Sequence, residues 1–479
     1  MSERFAVPDE LTCYYDRPGE PANVHVEVQV PGRLDEKIMR ASVQGVLAAE
    51  PGLRARRAPS SGWRHGYRWE IPPAPDDDPV AAVTHSDQPG LDAQRDAFLS
   101  EAPMLDVSPP LRLLLSSGPD GDCLILSAHH ARFDGLSCVR LLRKVASEYG
   151  ARAARLGEVR LSPDPAPRPG AELLARETTS EPVAVQATPV RTTLLQARAT
   201  RSRWSGARKV VRIAHGNGGR ARRLPGYGAH LMSWDGLSAA DWLRSRGASV
   251  NDLLITALAV TVCDWNEARD PHAACAGTVR ITMPVGDRTQ GGEAGQWANK
   301  SRLTVVTARA GSGVQPLDLL GDVTRQTRSV KVEHGAQVDL ASRMLVAAPL
   351  PVMAKQLLLR AALRTAGPLI CDTSLVSNLG QIEAPAFGPL TASQVWFSTS
   401  AHMPRGLSLG AVTAGGRLRL TFRYRRALFS PADAAEFAAR FAKALDQFAA
   451  RVPGPKVGRD GEGNADSLRG CALPEAGTR

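Results

Sequence analysis

Alternating and helically spaced apolar residues predict mixed strands and helices in the first third of the chain. Residues 24–30 alternate valine with polar residues, as a strand buried on one face does. Residues 38–47 place apolar side chains at helical spacing and stop before a Pro-Gly pair. Two apolar runs at 111–115 and 123–128 are joined by GPDGD, which predicts a hairpin. A second amphipathic helix is predicted over 136–149.

The periodic pattern is lost in the middle of the chain and then resumes. A Pro-rich stretch beginning at 163 leads into 201–223, which contains eight Lys or Arg residues. Helices at 238–246 and 249–261, strands at 277–284, 302–309 and 417–424, and a last helix capped by Ser430 follow. We therefore expect an α/β (α+β) protein. Its predicted parts are a subdomain at 1–165, a crossover linker at 166–225, a second subdomain at 226–452 and a disordered tail at 453–479.

Composition narrows the class of protein. The chain has 479 residues, a length that is too great for one core and suits two subdomains, and 43% of its residues are apolar. Its net charge of +11 favours anionic partners. Nucleic acid is not expected among them, because the basic segment has Trp204 as its one aromatic residue and no recognised binding motif accompanies it.

The cysteines and the lengths of the apolar runs bear on the cellular compartment and on membrane insertion. The seven cysteines are scattered without a C-x-x-C pair, which argues against a zinc site and a disulfide scaffold. The first residues lack the apolar core of a signal peptide, and no run approaches the ~20 residues that span a bilayer. We expect a cytoplasmic protein without a transmembrane segment.

The segment LILSAHHARFDGLSC carries the chemistry. His129 and His130 end a predicted strand, so their side chains point to opposite faces and take different roles. An imidazole beside a helix N-terminus suits a general base near neutral pH. Gly135 lets the backbone turn closely and leaves its N–H free near a developing oxyanion. A structural histidine pair and a metal site are the alternatives; no second ligand cluster supports a metal, and we expect none.

This segment resembles a known motif. HHARFDG is similar to the HHxxxDG motif of the condensation-domain superfamily, which includes nonribosomal-peptide condensation domains, polyketide-associated acyltransferases and wax-ester/diacylglycerol acyltransferases. Weaker similarities follow in the family's order: SVNDLLITALA at 249–259, MPVGDR at 283–288, GQWANKSRLTVV at 295–306 and SLVSNLGQIE at 374–383. The resemblance implies two chloramphenicol-acetyltransferase-like subdomains that form a pseudodimer around a central tunnel.

The resemblance also implies roles for individual residues. His130 matches the catalytic histidine, and His129 and Gly135 support the site. Asp134 matches an aspartate that pairs with an arginine of the second half, which would be Arg288 here; a surface arginine at a strand end is the alternative. Three further residues would line the tunnel or orient its loops: Asn299, Ser377 and Asn378. Trp297 departs from the family, which often has Phe there, and the absence of flanking synthetase modules indicates a stand-alone enzyme.

The implied activity is acyl transfer, of the EC 2.3.1 type, in natural-product (nonribosomal peptide or polyketide) secondary metabolism or in lipid biosynthesis. The donor would be acyl-CoA or the thioester of an acyl or peptidyl carrier protein, and the acceptor a small alcohol or amine. We expect no permanently bound cofactor and a monomer. The apolar stretch 344–363 would form a wall for the acyl chain, and the basic segment 201–223 part of the donor entrance. The alternative is a catalytically silent condensation-like module that recruits a carrier protein.

Overall fold

The structure, a computed structural model, describes most of the predicted elements. It covers residues 2–61, 63–157, 210–216, 224–236, 239–270, 277–286, 297, 299, 301–311, 313–332 and 340–450. The tail predicted at 453–479 and most of the linker predicted at 166–225 lie outside these residues. None of the described helices combines the length and the apolar character needed to cross a membrane.

The first half places its helices between strands. In chain order it contains β1 (Ser2–Arg4), α1 (Val7–Tyr15), β2 (Asn23–Val30), α2 (Glu36–Ala49), a 3₁₀ turn (Pro51–Arg54), β3 (Arg56–Arg57), β4 (Arg68–Glu70), β5 (Val80–Thr84), α3 (Gln88–Ser100), β6 (Leu111–Gly118), β7 (Gly121–His129) and α4 (Gly135–Leu156). The predicted hairpin joins β6 to β7. It requires glycine at 121, where φ is +118° and a Cβ would lie 2.2 Å from the Val30 carbonyl oxygen.

The second half repeats this alternation. It contains β8 (Tyr227–Trp234), α5 (Ala239–Ser245), α6 (Val250–Glu267), β9 (Val279–Gly286), β10 (Ser301–Ala308), α7 (Pro316–Val332), α8 (Leu340–Ala347), α9 (Val352–Ile370), β11 (Ser374–Gln381), β12 (Ala386–Phe387), β13 (Leu390–Thr391), β14 (Gln394–Thr399), β15 (Leu407–Ala414), β16 (Arg417–Arg425) and α10 (Pro431–Ala449). Helices α6 and α10 begin with capping boxes, in which Ser249 bonds Asp252 and Ser430 bonds Asp433.

Two large sheets organise the two halves. The second half builds a six-stranded sheet in the order β10-β9-β11-β15-β16-β8, whose buried core includes residues of α6, α7 and α10. The first half builds a five-stranded sheet in the order β14-β2-β7-β6-β5, on which α2 and α4 pack. The expected α/β (α+β) architecture, with one large sheet in each half, is confirmed.

Strand β14 crosses from one half to the other. It lies in the range predicted for the second subdomain, yet it pairs antiparallel with β2, with Val395 opposite Val28 and Thr399 opposite Val24. Phe397, in the middle of β14, joins the buried core of the first half. The first sheet is therefore completed by the second half of the sequence.

The expectation of an acyl-chain wall at 344–363 is wrong. Met344, Met353, Leu357 and Leu358 are between 51% and 65% exposed. These side chains lie on the outer surface of α8 and α9, because the opposite side of α9 is the one that packs against the first half, through Val352 and the buried Lys355.

Candidate active site

The HHARFDG motif forms the turn between β7 and α4. His129 is the last residue of β7 and pairs with Asn23 of β2. The backbone then turns back on itself, as the N–H groups of Arg132 and Phe133 both donate to the His129 carbonyl, at 3.0 and 3.1 Å. Helix α4 starts at Gly135. The two histidines are thus held between a strand on one side and a helix N-terminus on the other.

His129 is tied into the first half. It is 1% exposed, and its Nδ1 accepts a hydrogen bond from the Ala131 backbone N–H at 3.1 Å. The proton on Nε2 then faces Asp16, whose Oδ2 lies 3.4 Å away. Burial acts to raise the pKa of Asp16, but the hydrogen bonds that Asp16 accepts from His129 and from the Ala22 backbone N–H outweigh it and hold that pKa below its ordinary value. His129 therefore acts as an internal partner for a carboxylate, and its role in supporting the site stays a prediction.

A cavity of about 520 Å³ opens beside this pair. Asp16 and His129 form part of its wall, together with Arg17, Arg57 and the segment that follows α3. Arg57 lies 3.6 Å from Asp106 at the rim. The cavity is therefore lined by charged groups of both signs on the His129 side of the motif.

His130 is held in place through its backbone. Its N–H donates to the Ala22 carbonyl at 2.8 Å, and its own carbonyl accepts from the Asn299 side chain at 2.9 Å. Ala22 belongs to the first half and Asn299 to the second, so both halves hold this residue.

The ring of His130 is oriented by a second bond. Its Nδ1 lies 3.1 Å from the Phe133 carbonyl oxygen, which can only accept, so the proton is on Nδ1. The lone pair is then on Nε2. Burial lowers the pKa of His130, and the Phe133 carbonyl and Asp134 oppose this only in part. The ring is thus neutral at pH 7 with Nε2 as the proton acceptor.

Asp134 caps helix α4. Its Oδ1 accepts from the Ser137 backbone N–H at 2.8 Å and from the Ser137 hydroxyl at 2.7 Å. This capping role was not predicted, although an Asp directly before a helical apolar pattern is a typical N-cap signal. Arg288 lies outside the described residues, so its pairing with Asp134 stays a prediction.

Gly135 lies where the second half meets the motif. A Cβ at this position would be 2.6 Å from both Leu379 Cδ2 and Phe397 Cε2. The start of α4 can therefore approach β11 and β14 this closely only without a side chain. A close turn of the backbone was predicted at Gly135, and the packing against Leu379 and Phe397 was not identified from the sequence.

The remaining predicted residues lie near this junction. Ser377 is 6% exposed, and the Asn378 side chain accepts from the Gly380 backbone N–H at 2.8 Å. Both precede Leu379 on β11, next to the helix start. Trp297 is 2% exposed and donates to Glu50 Oε2 at 3.1 Å, so the segment with Asn299 docks on the first half.

A buried arginine joins the halves behind His129. Arg423 on β16 is fully buried and donates to the Asn23 carbonyl and side-chain oxygens, at 3.2 and 2.5 Å, and to the Leu99 carbonyl at 2.9 Å. Its guanidinium lies over the Tyr227 ring, 4.3 Å from the centroid. Burial lowers the pKa of Arg423 to about 10, so it stays charged at pH 7. Asn23 is the strand partner of His129, so this contact positions the motif.

Neither a thiol nor a metal offers a rival chemistry in the described part of the site. Cys138, on the first turn of α4, is fully buried, and burial raises the pKa of its thiol well above the ordinary value. Among the described residues, no group of three or more His, Cys, Asp or Glu side chains could hold a metal ion.

The sequence has relatives among known proteins. No protein-family model matches the sequence. Over 430 residues the chain is 28% identical to Rv2305, an uncharacterized protein of Mycobacterium tuberculosis, and the alignment covers 88% of this chain and 93% of the relative.

Solved structures show the same fold. The first condensation domain of the CDA synthetase aligns with a TM-score of 0.63 at 15% identity, covering 94% of this chain and 97% of that chain. A variant of the starter condensation domain of rhizomide synthetase, in complex with C8-CoA, aligns with a TM-score of 0.60 at 15% identity, covering 94% and 95%. This chain therefore has the fold of these condensation domains.

Proposed function

We propose that this protein is an acyltransferase that moves an acyl group from a thioester to a hydroxyl or an amine. The donor is acyl-CoA or an acyl or peptidyl carrier protein, and the product is an ester or an amide. One observation carries the proposal: the neutral ring of His130 presents Nε2 as a proton acceptor, and its backbone is held by residues from both halves of the fold.

The chemistry follows from that geometry. The acceptor's O–H or N–H proton passes to Nε2 of His130 as the oxygen or nitrogen attacks the thioester carbonyl. The tetrahedral intermediate collapses with loss of the thiolate, which takes the proton back from the imidazolium. Because the acyl group passes directly between two bound substrates, no covalent enzyme intermediate is needed.

The supporting residues act by position. In the proposal, Arg288 pairs with the Asp134 carboxylate while Asp134 caps α4, so that the helix start and the second half are held together. Asn299, Ser377 and Asn378 border the route along which the substrates reach His130. The likeness to condensation domains supports this arrangement, and one such neighbour holds C8-CoA.

A thiol-release assay tests the proposal. Purified protein is mixed with octanoyl-CoA and panels of primary alcohols and amines, and free CoA and acylated product are measured together. We expect His130→Ala to lower turnover by roughly 10²–10⁴-fold without loss of folding. His65→Ala is the matched control, because the His65 side chain is exposed and the hydrogen bond from Lys355 is accepted by its backbone carbonyl, which the substitution keeps.

Two results would contradict the proposal. Equal turnover by His130→Ala and the wild type would show that His130 is not the general base. Tight binding of an acylated carrier protein, with no transfer to any acceptor of either panel, would favour a recruiting module instead.

A further inference from the structure

Helices α8 and α9 present an apolar surface to solvent, next to an exposed tryptophan. We name this surface the apolar patch and define it by six side chains, with their exposed fractions: Trp63 (79%), Met344 (65%), Leu350 (36%), Met353 (57%), Leu357 (63%) and Leu358 (51%). They make up half of the twelve large apolar side chains that are exposed among the described residues. Such concentration on one surface marks an interaction site.

The patch is held rigidly from behind. The Val352 backbone N–H donates to the Arg64 carbonyl at 2.9 Å, which fixes the start of α9 against the loop that carries Trp63. The Lys355 ammonium is buried and donates to the carbonyls of His65 and Val346, at 2.6 and 2.5 Å. Its bonds join α8, α9 and the loop. These contacts hold one side of α9 against the first half, so the opposite side faces outward.

The exposed charged side chains on α8, α9 and the loop that carries Trp63 have one sign. Helices α8 and α9 contain no Asp or Glu, and the exposed arginines on them are Arg343, Arg360 and Arg364. Arg64 is exposed in the loop beside Trp63. Within the described residues none of these four arginines forms an ion pair. The cations also follow the apolar stripe itself, since Leu357, Arg360 and Arg364 are three and four residues apart.

We propose that the apolar patch binds the surface of an anionic lipid bilayer. Leucine and methionine side chains would enter the boundary between headgroups and acyl chains, while the arginines reach the lipid phosphates. Tryptophan is favoured at the headgroup level because one end of its ring system is apolar and the other polar. This inference goes beyond the proposed acyl transfer and does not depend on it.

A bilayer accounts for the surface better than an acidic protein partner does. The patch lies on the outer side of two helices, and its side chains line neither of the two main cavities found in the described part of the chain. Along the exposed side of α9, apolar side chains are followed by cationic ones. A lipid interface accepts both at once, because arginine can keep its charge at the headgroups while its stem lies among apolar groups.

Vesicle co-sedimentation of the full chain tests the proposal. Sucrose-loaded vesicles of pure phosphatidylcholine are compared with vesicles that contain about 30 mol% phosphatidylglycerol. We expect the wild type to bind the anionic vesicles and to leave them as salt is raised. Met353→Glu with Leu357→Glu should lower the bound fraction roughly tenfold or more.

Leu156→Glu is the matched control, because Leu156 lies on a helix and is 63% exposed, as is Leu357. It should bind as the wild type does, and circular dichroism should show that all variants are folded. The proposal is overturned if the wild type stays in solution with anionic vesicles at low salt, or if Leu156→Glu loses as much binding. It is also overturned if an acidic acyl carrier protein binds the patch in titration calorimetry while vesicles do not.

Discussion

One hydrogen bond decides what His130 can do. Because Nδ1–H donates to the Phe133 carbonyl, the ring is a single tautomer with Nε2 free to take a proton. His129 uses the opposite arrangement, with Nδ1 as acceptor and Nε2–H directed at Asp16. Adjacent histidines in one motif are thus fixed in opposite tautomers, and only His130 is set up as a base.

The lowered pKa of His130 predicts the pH dependence of turnover. Burial favours the neutral ring, so the folded-state pKa lies below the ordinary value of about 6.5. The rate should rise with pH through that pKa and be flat from about pH 7 upward, because the base is then unprotonated. The measurement is kcat/KM against pH with octanoyl-CoA as donor. An acid limb centred above the ordinary histidine value would contradict it.

Among the helices and strands, the start of α4 shows why one position must be glycine. The helix start is pressed against β11 and β14, which arrive from the second half of the chain. Periodicity predicted α4, and the glycine at 135 indicated a close turn of the backbone. It could not predict what approaches, because Leu379 and Phe397 are more than two hundred residues away in sequence.

Gly135→Ala should therefore destabilise the protein. The new Cβ would lie 2.6 Å from Leu379 and Phe397 carbons, and relieving such overpacking costs about 1–3 kcal/mol. Gly321→Ala is the control, since Gly321 is also helical and no atom lies within 4 Å of its would-be Cβ. That change should be neutral or stabilising. Denaturant unfolding of both variants measures the difference, and equal effects would contradict the close packing.

Apolar patterning was a better guide to which elements form than to which of their faces are buried. Strand 417–424 was correctly predicted from alternation, but two of the arginines on its polar face, Arg419 and Arg423, are buried. The apolar stretch 344–363 was predicted to form a wall for an acyl chain, but its outer face is exposed. In both cases the deciding partner is the other half of the molecule, whose position no local pattern contains.

At the scale of the whole molecule, Arg423 is a main connection between the halves. Its three hydrogen bonds reach Asn23 and Leu99, both in the first half. Arg423→Met keeps much of the volume but removes these bonds, which should cost roughly 3 kcal/mol of unfolding free energy. Because Asn23 is paired with His129, turnover should fall as well.

Arg417→Met provides the comparison for that experiment. Arg417 lies on the same strand, but its side chain is 64% exposed. Its loss should change the unfolding free energy by less than about 0.5 kcal/mol. Guanidinium titration of the two variants gives the values. If Arg423→Met were as stable as Arg417→Met, the buried contacts would not be what joins the halves.

The position of β14 has a consequence for synthesis. Strand β7 is complete once residue 129 has been made, but β2 gains its outer neighbour only when residues 394–399 emerge. At about 5–20 residues per second, the ribosome needs roughly 15–55 s to cover that interval. During this time the nascent chain carries β2 as an open edge, where other strands could pair. The alternation of His25 and Glu27 with valine along β2 places a charged residue at this edge, which discourages such pairing until the proper strand arrives.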